Sequence, residues 1–195
     1  MSSKKDKTKP INNYYMGLAL ALARENAGLT KENPSVGCVL VKNNQIISTG
    51  ITSINGRPHA EYNAVKNSVD NVSGSTAYVT MEPCTHKGKT DPCSSLLIKS
   101  KIKKVYFSVS DIDERTSNKA LKVFKKKGIF VKKGILKREV KNFYSNYFFN
   151  RKHKLPYITG KIACSKDNYI KSNKSQYISN QESLNVTHLL RYRND

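Results

Sequence analysis

Three side chains in the first half of the chain are of the types that bind zinc. His59 is followed two residues later by Glu61, and two cysteines come further on, in Pro83-Cys84 and Asp91-Pro92-Cys93. One imidazole and two thiolates fill three positions of a tetrahedral zinc and leave the fourth for water, as in catalytic sites. The order His-x-Glu, then Pro-Cys and a second Cys, is typical of zinc-dependent base deaminases. The pattern predicts hydrolytic removal of an amino group from a nitrogen heterocycle.

We predict His59, Cys84 and Cys93 as metal ligands and Glu61 as the proton carrier. Zinc lowers the pKa of bound water to ~7. Glu61 would take that water's proton and pass it to the ring nitrogen and the leaving amine. A structural zinc site or two buried thiols would be the alternative for the cysteines alone. His86 is a competing ligand, but three ligands suffice, so we interpret it as a loop residue near the substrate.

Composition limits the possible partners and the cellular location. The 195 residues include 35 Lys+Arg and 14 Asp+Glu, which gives a net charge of +21. Such a charge is typical of nucleic-acid binders, but the lysines recur in nearly every segment, so we favour a solvated surface without a nucleic-acid partner. The four cysteines suggest zinc thiolates in a reducing cytoplasm more than a disulfide framework. No stretch approaches the ~20 apolar residues of a membrane span.

The apolar pattern alternates between helices and strands, with a possible signal peptide at the start. The uncharged run Tyr14–Ala23 after four lysines mimics a signal peptide, yet it fits an amphipathic helix. Helices are predicted over 11–28, 59–68, Ser94–Ser100, Ser117–Lys127, 136–150 and Glu182–Arg191. Strands are predicted over Val36–Val41, Gln45–Ile51, Thr76–Met81, Val105–Val109, Ile129–Val131 and Tyr157–Cys164, the first two as a hairpin. This alternation predicts an α/β domain with helices on both sheet faces.

This pattern divides the chain into three segments. Residues 1–10 are predicted to be a disordered basic tail, 11–150 the zinc-dependent domain, and 151–195 a linker and the beginning of a second domain. The last segment is too short to close an α/β domain with its own core. We therefore expect a truncated second domain, whose strand Tyr157–Cys164 would be an unpaired edge.

A wider set of motifs is more specific than the zinc pattern. It consists of Asn33-Pro34-Ser35-Val36-Gly37-Cys38, His59-Ala60-Glu61 and Ala77-Tyr78-Val79-Thr80-Met81-Glu82-Pro83-Cys84-Thr85-His86-Lys87-Gly88-Lys89-Thr90-Asp91-Pro92-Cys93. These motifs closely resemble the deaminase half of RibD, the bifunctional deaminase–reductase family of riboflavin biosynthesis. Eight residues stand between the two cysteines in that family, as here, whereas cytidine and tRNA-adenosine deaminases have two. The resemblance runs from about Tyr14 to the last residue.

The resemblance implies a fold, a substrate and further site residues. The fold would be a three-layer α/β/α cytidine-deaminase-like sandwich around a mixed sheet. The substrate would be 2,5-diamino-6-ribosylamino-4(3H)-pyrimidinone 5′-phosphate, converted to 5-amino-6-ribosylaminouracil 5′-phosphate and ammonia by a zinc-dependent homo-oligomer. Asn33 would hydrogen-bond the pyrimidine, and His86 and Lys89 would help to hold the ribose phosphate. The lysine at position 89 also suits a phosphate on chemical grounds, because its ammonium is a compact charge beside Gly88.

The last segment resembles the start of the family's NADPH-dependent reductase half. By that resemblance, Ala163 and Tyr177 would contact NADPH, and Ser175 and Arg191 the reductase substrate. Most of the nucleotide site would be missing, so we expect no reductase activity from this chain alone. NADPH would be a cofactor only with the remainder of that half present.

The chain departs from the family pattern at several places outside the predicted zinc site. Asp91 replaces a proline, residues 110–114 lack the family's Asp-Pro-x-Pro, and Asn118-Lys119-Ala120 replaces Gly-x-Gly. Asn168 and Tyr177 replace glycine and tryptophan in the reductase part, and the segment around Ser172–Lys174 is shortened. Two alternatives stay open: a nucleic-acid deaminase of the tRNA or cytidine type, and a catalytically inactive relic in which zinc only holds the fold.

Overall fold

The computed structural model describes residues 9–88, 90–171 and 178–192. The chain divides into two compact units, Met1–Leu155 and Pro156–Asp195. Three predicted site residues, Lys89, Ser175 and Tyr177, lie outside the described residues. The boundary between the units falls five residues after the predicted boundary at 150.

The first unit is built around a mixed five-stranded sheet. Its strands are β1 (Gly37–Lys42), β2 (Gln45–Ile51), β3 (Thr76–Met81), β4 (Lys104–Val109) and β5 (Phe130–Lys133), in the order β2-β1-β3-β4-β5. Strand β1 is antiparallel to β2 and β3, whereas β3, β4 and β5 run parallel. The three central strands are almost completely buried, and most exposed positions of the sheet lie in the edge strands β2 and β5. Near-continuous apolar runs are what strands covered on both faces require.

The predicted hairpin is confirmed, and its turn has a simple cause. Asn43 and Asn44 connect β1 to β2, and both have positive φ, at 51° and 60°. A two-residue loop with two left-handed residues matches the twist of paired strands, and asparagine tolerates that conformation better than most residues.

Helices cover both faces of the sheet, so the predicted three-layer sandwich is confirmed. The helices of the first unit are α1 (Lys9–Glu25), α2 (Ala60–Lys66), α3 (Cys93–Lys99), α4 (Ala120–Lys126), α5 (Lys137–Phe143) and α6 (Ser145–His153), and a short 3-10 turn spans Ile54–Gly56. Helices α2, α3 and α4 share one core with the sheet, in which Phe107, Phe124 and Leu97 are fully buried. Helices α1 and α5 cover the opposite face, where Met16 and Val140 are fully buried.

Every predicted helix differs from the observed one by at least one residue at one of its ends, including α4, which begins three residues late. The first begins at Lys9, so the last two residues of the predicted tail are helical, and it ends at Glu25, three residues early. The predicted helix 136–150 is wrong as a single element, because α5 ends at Phe143 and α6 begins at Ser145. Tyr144 lies between them with ψ of 11°, and its buried ring is fixed by contacts described below.

The second unit contains α7 (Gln181–Tyr192). The prediction of a strand over Tyr157–Cys164 is wrong: among the described residues this stretch belongs to no strand. A strand is defined by its ladder of backbone hydrogen bonds with a neighbour, which an apolar sequence run cannot supply by itself. Ile158 and Ile162 are 86% and 78% exposed here. Nowhere in the described part of the chain is a helix both long and apolar enough to cross a membrane.

Candidate active site

The candidate site lies at the carboxyl ends of two adjacent parallel strands. Met81 at the end of β3 is in register with Val109 at the end of β4, so the loops that follow them start side by side. The backbone N–H of Glu82 donates to the carbonyl of Val109 over 2.9 Å and extends this pairing by one residue. Ligands of α/β proteins bind at this kind of edge, because loops from neighbouring strands converge there.

The structure brings the three predicted metal ligands together. His59 caps the N-terminus of α2, Cys84 lies in the loop after β3, and Cys93 is the first residue of α3. Their ligand atoms all lie within 4.8 Å of one another, with Nδ1 of His59 at 3.4 Å from Sγ of Cys93 and 3.8 Å from Sγ of Cys84. Two hydrogen bonds hold the loop to α3: the N–H of Ser94 donates to the carbonyl of Cys84, and the N–H of Cys93 donates to Sγ of Cys84 over 3.2 Å.

The electrostatics of this cluster favour a bound cation. The hydrogen bond from Cys93, helped by those from His59 and from the Cys93 backbone, lowers the pKa of Cys84 to about 4. The same thiol–thiol hydrogen bond, together with burial, raises the pKa of Cys93. The hydrogen bond with Cys84 also raises the pKa of His59. The lowered pKa of Cys84 favours the thiolate, the form in which cysteine binds metals.

The residues present fit zinc. One imidazole nitrogen and two thiols, within 4.8 Å of one another and with a backbone N–H directed at one sulfur, form a donor set that suits a soft, tetrahedral cation. Nothing in this donor set suits magnesium or calcium, which prefer oxygen ligands.

Glu61 lies next to this cluster in the first turn of α2 and is 4% exposed. Burial, and after it the negative charge of Cys84, raises the pKa of Glu61 above its ordinary value. A buried carboxyl with a raised pKa holds a proton more readily than an exposed one, as a group that shuttles protons near neutral pH requires.

A cleft of about 90 Å³ opens beside the cluster. Its lining includes five predicted site residues and eleven others; in full it is Asn33, Pro34, Val36, Thr52, Arg57, His59, Glu61, Met81, Glu82, Cys84, His86, Asp111, Asp113, Arg115, Tyr147 and Arg151. Cys93 contributes to the cluster but does not line the cleft. We refer to this space as the cleft below.

Asn33 lies in one wall of the cleft, and a close backbone contact fixes it there. Its Nδ2 donates to the carbonyl of Gly56 over 3.0 Å. Gly56 has a φ of +86°, and a Cβ at this position would lie 2.5 Å from the carbonyl oxygen of Thr30 and 2.7 Å from Nδ2 of Asn33. Only glycine fits this position. The amide of Asn33 is therefore held in one orientation before any ligand arrives.

His86 also lines the cleft, and a buried carboxylate organises the loop beside it. Nδ1 of His86 is 3.0 Å from the hydroxyl of Thr116. The carboxylate of Glu82 is 4% exposed and accepts the backbone N–H groups of Asn118 and Ala120 at 3.0 and 2.9 Å. Glu82 thus ties the loop after β4 to the loop that carries the first cysteine.

A chain of buried hydroxyl groups supports the floor of the site. The N–H of Gly37 donates to Oγ1 of Thr80 over 3.1 Å, Thr80 and Tyr144 share a 2.6 Å hydrogen bond, and Tyr144 donates to the carbonyl of Ser35 over 2.9 Å. The ring of Tyr144 is 2% exposed. These hydrogen bonds join the α5–α6 junction to β3 and to the segment that carries Asn33, which explains why the helix breaks at Tyr144.

Sequence reasoning missed several residues of the cleft, above all its arginines. Arg57 donates from Nη1 to Oγ1 of Thr90 over 2.8 Å. Arg115 pairs with Asp113, and Arg151 lies over the ring of Tyr147. The altered loop 110–114 lies next to Arg115 in the sequence, but it did not single out that arginine. Arg151 had no signal either, because it stands at the predicted start of the second segment.

The two predicted reductase-side residues that are described lie in the second unit. Ala163 is half-buried in the stretch before residue 166, which belongs to no helix or strand, and Arg191 is exposed near the end of α7. Their roles toward NADPH and a reductase substrate stay predictions.

Comparison with known proteins agrees with this geometry. The profile of the cytidine and deoxycytidylate deaminase zinc-binding region matches residues 9–109. The riboflavin biosynthesis protein RibD of Aquifex aeolicus is 37% identical over 185 residues, which are 94% of this chain and 52% of that protein. The diaminohydroxyphosphoribosylamino-pyrimidine deaminase of Buchnera aphidicola subsp. Acyrthosiphon pisum is 42% identical over 143 residues, which are 73% of this chain and 97% of that protein.

A solved structure is similar over nearly the whole chain. The diaminohydroxyphosphoribosylaminopyrimidine deaminase/5-amino-6-(5-phosphoribosylamino)uracil reductase of Thermotoga maritima has a TM-score of 0.84 and 32% identity, covering 93% of this chain and 53% of that one. The chain thus spans about half the length of the bifunctional relatives it matches.

Proposed function

Because this chain belongs to the zinc-dependent diaminohydroxyphosphoribosylaminopyrimidine deaminases of the RibD family, we propose that it deaminates 2,5-diamino-6-ribosylamino-4(3H)-pyrimidinone 5′-phosphate. Water replaces the 2-amino group by oxygen and ammonia leaves, which gives 5-amino-6-ribosylaminouracil 5′-phosphate. The observation that carries the proposal is the cluster of His59, Cys84 and Cys93 with the buried carboxyl of Glu61 beside it.

His59, Cys84 and Cys93 would hold Zn²⁺ in this reaction. Zinc, when bound, supplies a Lewis acid that makes water nucleophilic near neutral pH. Glu61 takes a proton from the attacking water while the water oxygen bonds to carbon 2 of the ring. Glu61 then gives that proton to the ring nitrogen, and a second transfer to the amine allows the carbon–nitrogen bond to break. The burial of Glu61 keeps both transfers away from bulk water.

We assign the remaining deaminase residues to substrate binding. Asn33 is proposed to hydrogen-bond the pyrimidine, with its amide already oriented by the carbonyl of Gly56. His86, held by Thr116, and Lys89 are proposed to help to bind the ribose phosphate. Lys89 lies outside the described residues, so its role rests on the sequence motif alone.

The remaining proposals concern the domain organisation, the cellular location and the oligomeric state. We propose that residues 11–150 make the deaminase domain and that 151–195 contain the start of a reductase domain, since the similarity to the Thermotoga deaminase/reductase covers 93% of this chain. None of the four cysteines, all of which lie in the described part of the chain, forms a disulfide, which suits a reducing cytoplasm. A homo-oligomer is proposed from the family resemblance.

The net charge of +21 favours one other candidate, deamination of a nucleic acid. Affinity for RNA would fall steeply with salt, about 10³–10⁵-fold between ~50 and ~200 mM for six to ten phosphate contacts. A single-phosphate ribotide has far fewer counterions to release. Titration of tRNA and of the ribotide at these two salt concentrations separates the candidates.

Ammonia release from the ribotide by zinc-loaded protein tests the main proposal. We expect turnover by the wild type and a loss of about 10²–10⁴-fold in Glu61→Gln, because the proton carrier is removed. The variant should keep its zinc, since Glu61 is not among the three ligands. Glu139→Gln, at a partly exposed glutamate of α5 outside the cleft, is the matched control.

Two results would contradict the proposal. A folded, zinc-containing wild type that releases no ammonia from the ribotide would exclude this substrate. Equal turnover by Glu61→Gln and Glu139→Gln would exclude Glu61 as the proton carrier.

A further inference from the structure

We propose that Arg115 and Arg151 form a guanidinium pair that binds the 5′-phosphate of the substrate at the mouth of the cleft. The inference rests on the function proposed above, because it assumes a ligand with a ring at one end and a phosphate at the other. Neither arginine belongs to the sequence motifs that predicted the site.

Arg115 is held in place at the rim by its neighbour in the loop after β4. Its Nε and Nη2 donate to the carboxylate of Asp113 at 2.9 and 2.5 Å. The side chain of Arg115 is nevertheless 66% exposed. A guanidinium has five N–H donors, and this pairing uses only one edge of it. Asp113 thus orients Arg115 and leaves part of its donor set directed away from the pair.

Arg151 reaches the same place from α6. Its Nη2 donates to the carbonyl of Glu32 over 2.9 Å, and its guanidinium lies 5.7 Å from the centre of the Tyr147 ring. The hydroxyl of Tyr147 donates to Asp111 over 3.2 Å, which fixes the ring under the guanidinium. Both guanidinium groups interact electrostatically with Tyr147, so their charges lie on the same side of the cleft.

The two arginines also line a second, outer basin, which continues from the cleft. Asp113, Arg115 and Arg151 are common to both spaces, and Lys152 and Lys154 line only the outer one. Its volume is about 620 Å³. Four cationic side chains against Asp113 and Glu114 make the outer basin electropositive, which favours a dianion.

The position of this basin relative to the reacting groups matches the shape of a ribotide. Glu61 and Cys93 are each 4% exposed and mark the closed end of the site, whereas Arg115 marks its open end. A substrate that places its pyrimidine beside Glu61 directs its ribose phosphate outward. Planar guanidinium groups recognise phosphate oxygens in pairs, with shorter and stronger hydrogen bonds than neutral donors make.

The test compares the diaminopyrimidine ribotide with the same riboside lacking its phosphate. For Arg115→Gln and Arg151→Gln we expect kcat/KM on the ribotide to fall about 10- to 100-fold each. On the dephosphorylated riboside the same variants should change kcat/KM less than about twofold. A merely structural role would lower both values equally, so the ratio of the two substrates is the decisive quantity.

Three further variants sharpen this comparison. Arg138→Gln, at an 87% exposed arginine of α5 outside both spaces, should leave both values unchanged. Arg151→Lys keeps the charge but loses the planar fork, and its ratio should lie between those of the wild type and the glutamine variant. A phosphate preference that survives in both arginine variants but disappears in Lys89→Gln overturns the proposal.

Calorimetric titration with the ribotide separates this inference from the deaminase proposal. Weaker ribotide binding in both arginine variants, without ammonia release by any protein, would support the phosphate site while excluding the reaction. Ammonia release with equal losses on ribotide and riboside would support the reaction and exclude the phosphate site. Equal ribotide affinity in the wild type and in the arginine variants would also exclude the phosphate site.

Discussion

Asp111 is an acidic side chain that the fold places in an unfavourable environment. It lines the cleft, and burial raises its pKa above the ordinary value. The hydroxyl of Tyr147 and the N–H of Asp113 donate to Oδ1 at 3.2 and 3.1 Å, which offsets part of that effect. The folded chain therefore binds a proton at Asp111 over a pH range in which the unfolded chain has already lost it.

The sign of the resulting pH dependence follows from this difference. Stability falls with pH wherever the folded state binds more protons than the unfolded state. The window opens near the ordinary aspartate pKa of about 3.9 and closes at the raised pKa of the folded state. We therefore expect the free energy of unfolding of Asp111→Asn, relative to the wild type, to increase with pH across this window and then to level off.

Urea unfolding at a series of pH values measures this difference. Asp70→Asn, at an exposed position in the loop after α2, corrects for the loss of one negative charge from a strongly basic chain. A relative stability of Asp111→Asn that stays flat, or declines as the pH rises, would contradict the argument from burial.

Residue types and spacing predicted the groups that do the chemistry but few of the groups around them. His59, Cys84 and Cys93 could be predicted because zinc accepts few residue types, and the structure brings them within 4.8 Å. Arg115 and Arg151 could not, because lysine and arginine recur throughout the sequence. Their place at the rim depends on how the loop after β4 and helix α6 fold over the sheet edge.

At the scale of elements, the position of α2 depends on a glycine in β2. A Cβ at Gly50 would lie 2.2 Å from the carbonyl oxygen of Ala60 and 2.4 Å from the backbone nitrogen of Ala64. These are backbone atoms of α2, which cannot move without displacing the helix. Because α2 carries Glu61 and is capped by His59, the close contact at Gly50 sets the distance of both residues from the cysteines.

Gly50→Ala should therefore damage stability and the metal site together. We expect a loss of about 1–3 kcal/mol in the free energy of unfolding, as overpacking against rigid backbone usually costs, and a lower zinc content per chain. Urea unfolding and zinc analysis of the purified protein measure the two effects.

Gly17→Ala is the matched control, because it makes the same substitution within α1. A Cβ there would meet only Leu136 at an ordinary 3.8 Å, so alanine should stabilise the helix by about 0.5–1 kcal/mol. If Gly50→Ala behaved like Gly17→Ala and kept its full zinc content, the close packing of α2 on β2 would not control the site.

The elements that were predicted best are those whose apolar pattern has one explanation. The bounds of β2 and β3 agree with the predicted ones, and β4 begins one residue early. Short runs rich in β-branched and aromatic residues between turn-forming residues favour strands. The break at Tyr144 could not be predicted, since it depends on hydrogen bonds to Thr80 and Ser35, far away in sequence. The stretch Tyr157–Cys164 has the composition of a strand and lacks the neighbour that would make it one.

At the scale of the whole molecule, charge is the dominant feature. The chain has 21 more basic than acidic side chains. Within residues 9–88, 90–171 and 178–192, three ion pairs lie within 4.0 Å, and they involve Asp91, Asp113 and Glu139. Most lysine and arginine side chains in this part of the chain therefore have no acidic group within 4.0 Å. Like charges held close together by folding repel one another, which destabilises the compact state.

Salt should therefore stabilise this protein, because screening weakens repulsion between surface charges. The Debye length falls from about 30 Å at 0.01 M to about 10 Å at 0.1 M, which shortens the range over which surface charges repel one another. We expect the melting temperature to rise by about 2–4 °C between ~0.01 and ~0.3 M NaCl, which corresponds to roughly 1 kcal/mol for a chain of this size. Thermal melts followed by circular dichroism at constant pH measure the shift.

Sodium chloride is the proper salt, since sulfate strengthens apolar burial whatever the charge. Repeating the melts in sucrose at matched osmolality controls for solvent exclusion. A melting temperature that stays constant or falls with NaCl would show that the excess positive charge does not oppose folding.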